Sequence, residues 1–133
     1  MSKKSSRKNI ASDTHWEDVA AYSRAVRIGN IVEVAGTAAL EGEEVIFPEE
    51  AYDQAQYILL KIKQALEDAG ASMDDVVRTR IYTIDMEYWE DIARAHKEVF
   101  DKIRPVCTLV EVYSLVQKGL VVEIEATAII SET

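Results

Sequence analysis

Cysteine occurs once in the 133 residues, at Cys107. A single cysteine excludes an intrachain disulfide, a CxxC redox pair and a four-cysteine zinc site. Histidine is almost as scarce. His15 and His96 stand far apart and in no HExxH or HxxxH pair, which argues against a zinc hydrolase. Two prolines and five glycines are too few for a collagen-like or low-complexity chain. Gly29, Gly36, Gly42, Gly70 and Gly119 are too dispersed for a phosphate loop or a dinucleotide fingerprint. There is no GxSxG elbow either. No apolar run approaches the roughly 18 residues of a membrane span, and the first residues lack the apolar stretch of a secretory signal. A cytoplasmic protein with no membrane partner is expected. Basic residues are also short, 15 against 24 acidic ones, for a net charge of −9 and a pI near 4.7. Such a surface repels phosphate backbones, so no nucleic-acid partner is expected. Nothing in the residues calls for a metal or a cofactor.

What is present suits one globular domain: 48% hydrophobic and 29% charged residues in a chain long enough for one core. Lys3, Lys4, Arg7 and Lys8 make the start locally basic. Residues 1–15 read as a flexible arm and 16–133 as the domain. Tyr22 to Ile28 and Ile31 to Thr37 are β-type runs joined by Gly29-Asn30, a two-residue hairpin turn. In that register Arg24 faces Ala35 and Val26 faces Glu33, unless a bulge breaks it. Pro48 is expected to open a helix whose apolar stripe is Ala51, Ala55, Ile58, Leu59, Ile62, Leu66 and Ala69, with Gly70 ending it. Val76 to Ile84 is a strand. A second helix is expected over 88–103, with Trp89, Ile92, Ala93, His96, Val99, Phe100 and Ile103 as its core stripe. Cys107 to Tyr113 and Leu120 to Ile130 complete the order β-β-α-β-α-β-β, an α+β domain with two helices on one sheet face.

The other sheet face carries the functional expectation. On the last strand Glu123 and Glu125 alternate with apolar residues, and Cys107, Leu109, Glu111 and Tyr113 share a face of the strand before it. A face that mixes carboxylates with Leu, Tyr and Val is expected to pack against other subunits or to line a cleft. Glu125, beside Val122, Ile124 and Ala126, must be either paired or held for chemistry. Arg24 reads either as a surface partner of Glu33 or as an anchor for an anion, and His96 as structural.

Three segments together resemble a known family: Tyr22-Ser23-Arg24-Ala25-Val26 with Gly29-Asn30 and Val34-Ala35-Gly36-Thr37; Ala65 to Ala71 with Asp75-Val76-Val77-Arg78-Thr79; and Tyr82 to Met86, Pro105, Val110-Glu111-Val112 and Val122-Glu123-Ile124-Glu125-Ala126. The pattern is similar to the Rid proteins, also called YjgF or endoribonuclease L-PSP proteins, many of them imine deaminases. The resemblance implies a chorismate-mutase-like fold, a homotrimer around a central barrel, and small-molecule clefts between subunits. It implies hydrolysis of enamines and imines such as 2-aminoacrylate, without a cofactor. On the family pattern Glu125 is the acid–base glutamate. Tyr22, Gly36 and Thr37 line the cleft, with Thr37 in place of a frequent glutamine. Cys107 takes the place of the family's carboxylate-binding arginine, and Leu109 that of its cysteine. Three readings follow: a family member acting on a different metabolite, an imine deaminase with Arg24, opposite Ala35, as substitute anchor, or a trimeric ligand-binding protein without turnover.

Overall fold

The computed structural model describes residues 6–131. Lys3 and Lys4 lie outside them. The eight strands are β1 (Arg7–Ile10), β2 (Ala25–Ile28), β3 (Ile31–Ala38), β4 (Leu40–Glu41), β5 (Glu44–Val45), β6 (Val76–Thr83), β7 (Val106–Glu111) and β8 (Val122–Ile129). The helices are α1 (Trp16–Ala20), α2 (Ala51–Asp68) and α3 (Trp89–Phe100). Six strands form one sheet in the order β1-β2-β3-β8-β6-β7, antiparallel except for the β6–β7 pair. The α+β reading holds. The flexible arm needs correction, because Arg7 and Lys8 belong to a strand paired with Ile28 and Arg27.

α2 buries Ala51, Ala55, Ile58, Leu59, Ile62 and Leu66 against the sheet, as their spacing predicts. Its start differs from expectation. Phe47 and Glu49 take left-handed backbone angles on either side of Pro48, so the helix begins only at Ala51. Gln54, on the same stripe, is fully buried. Its amide donates to the Phe47 and Gly119 carbonyls and accepts from the Val121 amide, joining two loops whose polar groups no apolar residue could satisfy. α3 is narrower than its sequence suggests. Ile92, Ala95 and Phe100 are buried, while Trp89, Ala93 and Val99 are exposed, because the helix packs mainly along α2 and leaves its other side open.

The β2–β3 hairpin has the predicted register, with Val26 opposite Glu33 and Ala25 opposite Val34. A bulge follows in β3. Val34 pairs with Ala126 and Thr37 with Ile124, so Ala35 and Gly36 together oppose Glu125 alone. The extra residue turns Thr37 from the open face to the buried one. The parity of β7 also differs from expectation. Parallel pairing sets Cys107 opposite Thr79 and Leu109 opposite Ile81, both buried under α3. Cys107 and Leu109 therefore lie on the helix-covered face, while Val106 and Val110 take the open one.

Candidate functional site

Arg24 enters the structure just before β2, and its side chain is almost wholly buried. A buried guanidinium must have its N–H groups satisfied. Nη1 donates to the Gly36 carbonyl at 2.7 Å and to Thr37 Oγ1 at 3.1 Å. Nη2 donates to Glu17 Oε2 at 3.3 Å, with Thr14 Oγ1 and the Tyr22 hydroxyl each at 3.5 Å. Nε reaches Ser12 Oγ and Glu17 Oε2, both at 3.4 Å. Glu17 is equally buried, and its carboxylate also accepts from the Ser12 hydroxyl and, at 3.0 Å, the Ser12 amide. Burial pushes the Glu17 carboxyl up, but the Ser12 bonds and the Arg24 charge together hold it below the usual carboxylate range. The partner of Arg24 is therefore Glu17 and not Glu33. Every nitrogen of the guanidinium is engaged within the chain, which corrects the reading of Arg24 as a free anchor for a substrate carboxylate.

This network forms one wall of a cavity of about 240 Å³. The other walls are Trp16, Leu40, Ala38 and Val116, with Tyr22, Gly36 and Thr37 at the bulge, Lys61 from α2, and Glu123 from β8. Gly36 is the position where absence of a side chain matters: a Cβ there would collide with the Glu123 carboxylate. Burial pushes the Glu123 carboxyl above its ordinary value; Arg24 draws it back and Glu125 adds to the rise. The site thus holds a carboxyl whose proton affinity burial raises, between apolar walls on one side and Arg24 and Lys61 on the other. That is the arrangement general acid–base chemistry needs.

The family resemblance gives the carboxylate role to Glu125, and within this chain that side chain stands outside the Arg24 cavity. Glu125 Oε1 accepts from the Tyr82 hydroxyl at 2.8 Å and Oε2 from Arg80 at 3.2 Å. With Ala35 it borders a shallow open depression that shares only Tyr22 with the Arg24 cavity. Cys107 and Leu109 lie at the far edge of the sheet, in a different cavity beneath α3. So Tyr22, Arg24, Gly36 and Thr37 come together, and Ala35, Glu125, Cys107 and Leu109 do not join them. Glu123, Glu17 and Trp16 were missed. Parity put Glu123 and Glu125 on one face without ranking them, and only the bulge at Gly36 separates them. Glu17 had no readable signal, because its burial depends on tertiary contacts with Arg24 and with Ser12, the latter inside the expected arm.

The comparisons with known proteins agree with this architecture. The family model described as Endoribonuclease L-PSP matches residues 14–130. The chain superposes on the crystal structure of Rv2704 from Mycobacterium tuberculosis, a YjgF/YER057c/UK114 family member, with a TM-score of 0.86 and 43% identity, covering 94% of this chain and 100% of that one. It is 32% identical to the 3-aminoacrylate deaminase RutC of Acinetobacter baylyi, over 83% of this chain and 87% of the relative. It is also 32% identical to the 2-iminobutanoate/2-iminopropanoate deaminase of Dermatophagoides farinae, over 86% and 89%. A family match over residues 14–130 and similarity along almost the whole chain settle the classification: the chain belongs to the Rid (YjgF, endoribonuclease L-PSP) family.

Proposed function

We propose that the protein is a cytoplasmic homotrimer that hydrolyses a small imine or enamine to a carbonyl compound and ammonia, with Glu123 as general acid–base. The observation that carries this reading is the half-buried Glu123 carboxyl under Gly36, raised above its ordinary value by burial beside an arginine already paired with Glu17. In the reaction Glu123 accepts a proton from water as the oxygen adds to the C=N carbon. It returns that proton to nitrogen to give the neutral carbinolamine. The hydroxyl proton then passes to nitrogen through the same carboxylate as the C=O bond forms and the C–N bond breaks, releasing ammonia. An enamine enters this sequence as its imine tautomer. Two deaminases among the relatives support the reaction class. The trimer is supported by the open edge of β7, where Val106 and Val110 are exposed in a strand rich in β-formers. The net charge of −9 favours a small metabolite over RNA. Among the described residues no helix is long and apolar enough to cross a membrane.

Ammonia release from 2-aminoacrylate and from 3-aminoacrylate tests the reading. Loss of a general acid–base typically costs at least about 100-fold, so Glu123→Gln is expected to lower kcat by that much. Glu125→Gln is expected to stay within about threefold of the parent, as befits a group outside the cavity. Turnover that survives Glu123→Gln would overturn the assignment.

A further inference from the structure

Arg24, Lys61 and Glu123 are the charged side chains that line the Glu123 cavity, and both cations are balanced within the chain. Arg24 is paired with the buried Glu17, and its Nη1 is taken by the Gly36 carbonyl and Thr37. Lys61 donates to the Leu40 carbonyl at 2.9 Å and stands 3.5 Å from Asp13 Oδ1. Its side chain is only 18% exposed, so these two contacts hold it against the wall. Glu123 has no cation within ion-pair distance among the described residues. The charge left over in the cavity is therefore negative, that of the ionised Glu123.

The walls beside it carry no charge. Trp16, Ala38, Leu40 and Val116 are apolar, and the Trp16 indole is fixed by donating to Gln117 Oε1 at 3.3 Å and by packing on His15. A ligand carboxylate entering this space would exchange water for apolar walls and a second carboxylate, with no free cation in return. An uncharged ligand has far less hydration to lose, and a protonated imine would pair with Glu123.

Resting on the hydrolysis proposed for Glu123, we propose that the preferred substrate is an imine without a carboxylate, R–CH=NH, with a compact apolar R against Trp16, Leu40 and Val116. Water converts it to R–CHO and NH3, with no other reactant. Imines of this kind arise when a primary amine gives up two electrons and two protons, with a flavin or a nicotinamide as oxidant. Aminoacrylates carry a carboxylate and are bound less tightly.

Unreactive analogues separate this charge selection from turnover. The chain has two tryptophans, and Trp89 is an exposed residue of α3 outside the cavity. In full-length Trp89→Phe the fluorescence of Trp16 therefore reports occupancy. The probes are 4-methyl-2-oxopentanoate and 4-methyl-2-oxopentanamide, alike in shape and different in charge. The amide is expected to bind at least about tenfold more tightly. Glu123→Gln on the same background removes the repelling charge and is expected to narrow that ratio by at least about threefold. Equal or tighter binding of the oxo acid would show that a cation, of this chain or of a second copy, reaches the cavity, and would overturn the proposal. So would a ratio that Glu123→Gln leaves unchanged, or silence of both probes at millimolar concentration. A ratio enlarged at least about tenfold by Lys61→Met would make the lysine an anion anchor and overturn it equally. Ammonia release is a separate readout: turnover that survives Glu123→Gln removes the catalytic assignment and leaves the selection for uncharged ligands standing.

Discussion

Two carboxylates on β8, two positions apart and on the same face, meet opposite circumstances. Glu125 lies over the open part of the sheet, where Tyr82 and a partly exposed Arg80 hold it as an ordinary ion pair. Glu123 is turned under the bulge of β3, where burial opposes its charge and Arg24 is already neutralised by Glu17. Strand parity makes them equivalent, and the neighbouring strand distinguishes them. What separates a structural carboxylate from a poised one here is a single extra residue in β3 and a glycine without a Cβ. The two basic partners differ in the same way. Arg24 is fixed and buried, whereas Arg80 is exposed over nearly half of its side chain.

The largest effect that would test this contrast is the removal of Arg24. Breaking a buried pair leaves the other charge without compensation, which typically costs about 3–5 kcal/mol. Arg24→Ala is therefore expected to lower the midpoint of urea unfolding strongly, with Glu17, the Gly36 carbonyl and Thr37 all losing their donor. The double variant Glu17→Leu/Arg24→Leu is expected to be less damaging than the two single changes combined, because neither charge is then stranded. Simple additivity in that cycle would mean that the pair is not coupled and that the wall of the cavity is held by other contacts.

The sequence made much of the scaffold readable, because its strongest signals were periodic and local. The α2 stripe and the Gly29-Asn30 hairpin register both rest on spacing alone, and both match the structure. The site was less readable for reasons that are equally physical. β1 and α1 are short, and the burial of Glu17 depends on tertiary contacts with Arg24 and Ser12, not on a repeat. The bulge at Ala35-Gly36 reverses the parity of Thr37, so alternation fails at the point where the cavity is built. In β7 no alternation could reveal which face α3 covers, and Cys107 was assigned to the wrong one. Trp89 shows the reverse error: a large apolar residue on a helical stripe remains at the surface, on the side of α3 that no element covers.

A smaller effect is expected from Gly36→Ala. The added methyl would displace the Glu123 carboxylate while leaving the buried pair in place. Misplacing a catalytic group in this way costs up to about 100-fold in kcat. Unfolding is expected to change far less than with Arg24→Ala. Unaltered turnover in Gly36→Ala would show that Glu123 need not sit where the structure has it.

The two carboxyls of the cavity also differ in the sign of their pH dependence. Glu17 has a folded value below the ordinary 4.5, so its contribution is complete above that pH and is lost as the pH falls further. Glu123 has a folded value above 4.5, so its burial weakens the fold at neutral pH, and the weakness disappears as the pH falls through that value towards 4.5. Glu123→Gln is thus expected to raise Tm at pH 8 and to lose this advantage near pH 4.5. An advantage independent of pH would trace to packing and not to ionisation.

The smallest effect belongs to the open end of the comparison. Side chains of Arg80 and Glu125 are 44% and 31% exposed at a separation of 3.2 Å, so solvent screens much of their attraction. Pairs of this kind contribute about 0–1 kcal/mol. Arg80→Ala is accordingly expected to shift the urea midpoint only slightly, and 1 M sodium chloride to erase the shift, since a Debye length of about 3 Å screens an exposed pair. The Arg24→Ala deficit should persist at the same salt concentration, because no electrolyte reaches a guanidinium enclosed by Ser12, Thr14, Glu17 and Thr37. A salt-resistant Arg80→Ala deficit would mean that the open face of the sheet is covered in solution, and the contrast between the two carboxylates would then rest on the bulge alone.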